Sequence, residues 1–262
     1  MSTPIITLTS DLGMRDHYAA SLKGTLLSLA PEVRLVDISH EISQFNILEA
    51  AFILKSCFAK FPSGSIHLIA IDPEGSARTD TIVMAFRNHL FIAPDNGVLS
   101  LIRQSESAVC IKVDDSIMPP LSAGRAFLAL RRLAPTAALL ATGAGLEELG
   151  NEHSIREFFW GDPSYTENSL RGIIQHVDRF GNAITNITKE EFMRIKGDRS
   201  FQLFIRSLRL PRIVTSYGDV SKGEALAIFS ENGHLEIAIR EGSASQLLGV
   251  KVHDMLTIEF YG

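Results

Sequence analysis

Apolar and polar residues alternate in blocks along this chain, and the blocks change character past its middle. Residues 4–8 form a short β-branched and apolar run, which predicts a buried strand. A polar loop follows, Thr9-Ser10-Asp11-Leu12-Gly13-Met14-Arg15-Asp16. Tyr18, Leu22, Leu26 and Leu27 then recur at helical spacing. Residues 33–38 predict a second strand and 39–42 a turn, and Asn46 is placed to cap a helix from 47 to about 58. Pro62-Ser63-Gly64 ends that helix. Residues 65–71 predict a third strand, which runs into a second polar loop, Asp72-Pro73-Glu74-Gly75-Ser76-Ala77-Arg78. Residues 81–86 and 89–93 read as a hairpin across Arg87-Asn88, and Pro94-Asp95-Asn96-Gly97 is a turn signal. A short helix over 98–102 and a strand over 108–113 come next. Residues 124–140 are helical in pattern, with Pro135 set to end or kink the helix.

From 143 to 165 the chain is polar and rich in turn residues, which predicts a boundary. Beyond it, short strands recur at 170–177, 201–205, 225–229, 234–239 and 255–260, with short helices near 188–195 and 243–248. Together these patterns predict an α/β N-terminal domain (1–145) with a central, mostly parallel sheet. A linker (146–165) and a small all-β, barrel-like C-terminal domain (166–262) follow.

Composition narrows the partners. Of 262 residues, 45% are hydrophobic and 21% charged, so the chain can bury a sizeable core. Asp and Glu (30) exceed Lys and Arg (25), and this acidic balance argues against nucleic acid or an anionic membrane as the main partner. Two cysteines far apart in apolar runs, Cys57 and Cys110, suggest a reducing compartment without a disulfide framework. The N-terminus lacks a signal-peptide pattern, and no apolar run is long enough to span a bilayer. The expectation is a cytoplasmic protein.

Three loops carry candidate chemistry. In open α/β sheets, ligands bind at the carboxyl ends of strands, and Asp11 and Asp16 lie in such a place. The first loop lacks the glycines and the lysine that cradle a pyrophosphate. An aspartate there can accept two hydrogen bonds from a ribose diol; alternatively Asp11 and Asp16 cap the following helix. Asp72 and Arg78 flank the second loop, where an arginine keeps a carboxylate ionised and the pair can orient a water, or merely organise the loop. In Asp178-Arg179-Phe180-Gly181-Asn182, Asp178 can hold an ammonium, Phe180 can stack on a planar ring, and Asn182 can read the edge of a base. The same residues also suit a plain β-turn with Gly181 at positive φ. His67 and His89 read as packed or surface histidines and not as ligands, and neither a zinc-ligand spacing nor a GxSxG elbow is present.

Taken in order, Ser10-Asp11-Leu12-Gly13 with Asp16, Val36-Asp37-Ile38-Ser39-His40, Ile71-Asp72-Pro73, Ala93-Pro94-Asp95-Asn96-Gly97, and Asp178-Arg179-Phe180-Gly181-Asn182 with Thr185-Asn186-Ile187 span nearly the whole chain. The set resembles the S-adenosyl-L-methionine (SAM) hydroxide adenosyltransferases, relatives of the bacterial fluorinase and chlorinase. The resemblance implies a homotrimer with sites between subunits, SAM as substrate, and no cofactor or metal. It implies attack of water or hydroxide on C5′, giving adenosine and methionine. By motif position Asp11 would bind the ribose hydroxyls, with Asp16 on the same loop. Phe45 would flank the ligand, Asp178 would hold the methionine amino group, and Phe180 and Asn182 would contact adenine. Asp72 would polarise the water and Arg78 would hold Asp72. Three positions depart from the family pattern: Glu74 in a shortened loop, Ala123 where a histidine is usual, and Glu231 beside the methionine carboxylate position. They leave open an adenosine- or SAM-binding protein without turnover, or transfer to a halide or another small anion. The fluorinase has tyrosine at position 72, and a carboxylate there opposes halide binding.

Overall fold

The computed structural model describes residues 3–71, 79–118 and 127–262. They form two compact units, Met1–Trp160 and Gly161–Gly262.

In the first unit the elements are β1 (Ile5–Ser10), α1 (Tyr18–Leu29), β2 (Arg34–Ser39), α2 (Ile47–Cys57), β3 (Ile66–Ala70), β4 (Thr81–Phe86) and β5 (His89–Pro94). Then come α3 (Val98–Arg103), β6 (Val109–Val113), α4 (Ala134–Ala141), α5 (Leu146–Leu149) and β7 (Gly150–Glu152). The strand order is β2-β1-β3-β5-β4-β6-β7. Alternation along the strands sends side chains to two cores. Ile6, Leu8, Ile66 and Leu68 pack with Leu22 and Leu26 of α1 and with Ala134 and Ala137 of α4. Ile69, Met84 and Phe91 pack on the other face with Ala51 and Leu54 of α2 and Leu99 of α3. Leu22, Leu26 and Leu54 are fully buried, each contributing roughly 1.5–3 kcal/mol of hydrophobic stabilisation. Leu27, which shares their apparent spacing, points to solvent instead.

The sheet is mixed, which corrects the expectation of a mostly parallel one. The pairs β1–β2, β1–β3 and β3–β5 are parallel. The pairs β4–β5, β4–β6 and β6–β7 are antiparallel. The cause is local. Arg87 and Asn88 both take positive φ (47° and 62°), which makes a tight two-residue hairpin and reverses the chain. Asn46 caps α2 as its position predicts, its side chain accepting from the Glu49 amide. Pro135 lies in the first turn of α4, directly after a wide π-type turn over Ala129–Leu133. That turn marks the predicted irregularity, because proline supplies no amide to the turn before it.

The second unit contains β8 (Ser164–Tyr165), β9 (Ser169–Val177), β10 (Ala183–Thr188), α6 (Lys189–Lys196), β11 (Ser200–Ile205) and β12 (Leu208–Leu210). β13 (Ala225–Phe229), β14 (His234–Ile239), α7 (Ala244–Leu247) and β15 (Met255–Tyr261) complete it. The antiparallel sheet runs β12-β11-β15-β9-β10-β14-β13, with β8 beside β9. Val214, just past β12, makes a parallel bridge to Ile228 in β13, so the two ends of the sheet nearly meet. Leu170, Ile174, Leu203, Leu235, Leu256 and Ile258 fill the interior. Phe192 of α6 covers one side, edge-on to Phe201. Among the described residues no helix is long and apolar enough to cross a membrane.

Candidate active site

The carboxyl ends of β1 and β2 bring two loops together. Asp11 follows the last residue of β1, and its Oδ2 accepts the Phe45 amide proton at 2.9 Å. Phe45 holds a positive φ of 62° with its ring two-thirds exposed. A bulky residue in the left-handed region is strained, and the bond to Asp11 holds it there. His17 stands at the N-cap of α1 without a side-chain cap bond. Asp11 therefore joins loop to loop instead of capping the helix. Asp16 lies exposed on the same loop.

Below Asp11 a polar chain runs from buried Ser10 and His40 out to the surface at Asp37 and Lys23. The Ser10 hydroxyl lies 2.6 Å from Nδ1 of His40. His40 Nε2 lies 3.2 Å from Asp37 Oδ1, and Lys23 Nζ donates to Asp37 Oδ2 at 2.6 Å. Ser10 and His40 are both buried. Burial alone would raise the Asp37 pKa, but the bonds from Lys23 and His40 outweigh it and hold the group below its usual value. The Gly13 amide donates to the His40 carbonyl at 2.7 Å, with Gly13 at a positive φ of 67°. The Met14 amide donates to Glu41 at 2.9 Å. Ser10 and His40 both lie in the motifs Ser10–Gly13 and Val36–His40, but their contact is not evident from the sequence. The available signal was a serine and a histidine at the polar ends of two apolar strands.

Asp72, Arg78 and Ala123 lie outside the described residues. The Asn96 side chain donates to the Ile71 carbonyl at 2.9 Å. Asn96 thereby ties the turn after β5 to the end of the third-strand segment.

In the second unit, Asp178, Phe180 and Asn182 come together in the turn between β9 and β10. Asp178 Oδ1 accepts the amides of Phe180 (2.9 Å) and Asn182 (2.8 Å), and Oδ2 accepts from the Asn182 side chain (3.1 Å). Gly181 has a φ of +81°, and a Cβ there would stand 2.0 Å from the Ser243 hydroxyl. The Phe180 ring is about three-quarters exposed, whereas Asn182 is buried. The turn and the ligand-binding role are thus compatible, because the turn itself presents the aromatic ring.

Tyr217 and Glu236 were not singled out from the sequence. The Tyr217 hydroxyl donates to the buried Glu236 carboxylate. Burial raises the Glu236 pKa against the lowering effect of the Tyr217 bond, and the Asp178 charge adds to the rise. Burial, the bond to Glu236 and the same Asp178 charge push the Tyr217 phenol up. The signal was an acid within the apolar strand His234–Ile239.

Of the packed and surface alternatives for His67, the structure shows the packed one: it is fully buried. Its Nδ1 lies 2.7 Å from the Thr7 hydroxyl and its Nε2 lies 3.2 Å from His89 Nδ1. Cys57 and Cys110 are free thiols. Burial pushes Cys57 up to about 11 and raises Cys110 too, so neither is a ready nucleophile. Among the described residues no cluster of three His, Cys, Asp or Glu is placed to hold a metal ion.

The first unit thus places a carboxylate at its strand ends, and the second presents an exposed aromatic ring beside a buried amide. Residues 6–150 match the SAM hydroxide adenosyltransferase N-terminal domain, and residues 172–257 match the C-terminal domain of the same description. The chain belongs to the SAM hydroxide adenosyltransferase family. It is 30% identical to the (R)-S-adenosyl-L-methionine hydrolase of Methanocaldococcus jannaschii over 97% of this chain and 95% of that one. A fluorinase of Actinoplanes sp. is 25% identical over 90% of each chain. The crystal structure of an uncharacterized conserved protein from Thermotoga maritima, 30% identical, matches with a TM-score of 0.87 over 97% of this chain and 99% of that one.

Proposed function

We infer that this protein is an enzyme that hydrolyses SAM to adenosine and L-methionine. The observation that carries the reading is the family match across both units, joined to 30% identity with a SAM hydrolase over nearly all of both chains.

The chemistry asks little of the protein. A sulfonium is already a good leaving group, so no general acid is required. Water oxygen forms a bond to C5′ while the C5′–S pair departs with methionine sulfur, and the water gives up one proton. The site must align the nucleophile, assist that proton's departure and keep bulk water out. Asp11 is assigned to the ribose hydroxyls. One of its acceptor positions is taken by the Phe45 amide, and the remaining ones suit a diol. Asp16 borders this end of the ligand, and Phe45 flanks it. Phe180 and Asn182 take the adenine, and Asp178 takes the methionine amino group. Asp178 Oδ2 has one bond in the turn, which leaves acceptor capacity for an ammonium. Asp72 is assigned to polarising the water and Arg78 to holding Asp72. An ionised carboxylate there favours water over a halide. The resemblance supports a cytoplasmic homotrimer, which light scattering would report as three times 28.8 kDa.

The test is product analysis by mass spectrometry with both sulfonium epimers of SAM, with and without chloride. Equal amounts of adenosine and methionine, lost on Asp72→Ala, are expected. A 5′-chloro nucleoside would make the protein a halide adenosyltransferase. Bound but intact SAM would make it a binding protein.

A further inference from the structure

We propose that His40 is a positioning residue for Asp11, and through it for the ribose diol. This rests on the reading of Asp11 as the ribose-binding residue. Asp37 is an acceptor only, so His40 Nε2 carries a proton toward it. In the neutral ring Nδ1 then accepts the Ser10 hydroxyl proton across 2.6 Å. The Ser10 oxygen in turn faces the Leu12 amide at 3.4 Å. Donation therefore runs one way from Leu12 and Ser10, the two residues that bracket Asp11, through His40 to Asp37, which Lys23 anchors from its other side.

The backbone of His40 does the same from the other side. Its carbonyl takes the Gly13 amide at 2.7 Å, so one residue grips the Asp11 turn before and after the carboxylate. The Ser10 carbonyl accepts from the Ile42 amide at 3.4 Å. Asp11 then reaches back to the Phe45 amide. Ser10 is wholly inaccessible and His40 is 3% exposed. A serine so placed cannot attack a substrate, despite a wiring that looks like a hydrolytic triad. What remains for the chain is to fix the rotation of a carboxylate that must meet two hydroxyls at once. Losing that alignment forfeits charge-assisted hydrogen bonds, which are worth about 10- to 100-fold in affinity.

The experiment compares adenosine with 2′,3′-dideoxyadenosine by calorimetry on wild type, His40→Phe, His40→Asn and Ser10→Ala, with a melting temperature for each. For His40→Phe, adenosine should bind about 10- to 100-fold more weakly. The dideoxy compound, which has no diol to align, should bind within about twofold of wild type. His40→Asn, which keeps an amide near the Nδ1 position, should recover most of the loss. In turnover with SAM, KM should rise by the same factor as the adenosine Kd while kcat stays within about threefold. Equal weakening of both nucleosides would make His40 a structural residue only and overturn the proposal, as would unchanged adenosine binding. If His40→Phe does not fold, Ser10→Ala removes one oxygen and must show the same selective loss. A wild-type chain that binds no adenosine would overturn the ribose-site reading, and the positioning role with it.

Discussion

Acid should weaken this protein through one buried ring. His67 is fully buried on β3, between the Thr7 hydroxyl and His89, with Phe58, Phe61 and Phe91 around it. Burial, reinforced by His89, pushes its pKa from an ordinary 6.5 down to about 3. Burial lowers His89 as well. In the unfolded chain His67 takes up a proton below about pH 6.5, whereas the folded chain refuses it until about pH 3. The unfolded state therefore binds more protons across that window. The stabilisation is complete above the unfolded value and is lost as pH falls. At about pH 5, some 1.5 units into the window, His67 alone costs about 2 kcal/mol. That is a large share of the 5–15 kcal/mol typical of a domain. The assay is urea unfolding at about pH 7.5 and pH 5, on wild type and His67→Gln, which does not titrate. Carboxylates and His89 act in both proteins, so the comparison isolates His67. Wild type should lose about 2 kcal/mol more than the variant between the two pH values. Equal losses, within about 0.5 kcal/mol, would refute the reasoning.

Two further substitutions test the site. Asp11→Ala should raise the adenosine Kd by about 100-fold or more, measured by calorimetry; retained tight binding would remove Asp11 from the ribose site. Gly181→Ala puts a Cβ at a φ of +81° and against Ser243. It should cost at least about 2 kcal/mol in urea unfolding, from left-handed strain and displacement of Ser243, and a loss below about 0.5 kcal/mol would contradict the turn geometry.

Local signals in the sequence carried over well. Asn46, the Arg87-Asn88 hairpin and the irregularity at Pro135 each depend on one or two residues acting on their own backbone, and each lies where the pattern puts it. Strand direction was less legible, because the hairpin sets only the β4–β5 pair, whereas the parallel β3–β5 and antiparallel β4–β6 pairings are made at long range. The strand β10 was hidden. Ala183–Thr188 carries threonine and asparagine, which read as turn residues. In the fold Asn186 instead bridges the Ile173 amide and the Gly161 carbonyl from within the strand. At the candidate site, the Asp178-Phe180-Asn182 turn was visible because its parts are adjacent in sequence. The Ser10–His40 bond was not, since it joins residues thirty apart and no periodicity encodes such a pair. Tyr217 and Glu236, nineteen apart, stayed hidden for the same reason.

The most direct test of the account is hydrolysis of SAM in water enriched in oxygen-18, followed by mass spectrometry of both products. Attack of water at C5′ predicts one heavy oxygen in the 5′-hydroxyl of adenosine and none in methionine. Heavy oxygen in the amino-acid product, or an adenosine that carries none, would contradict it.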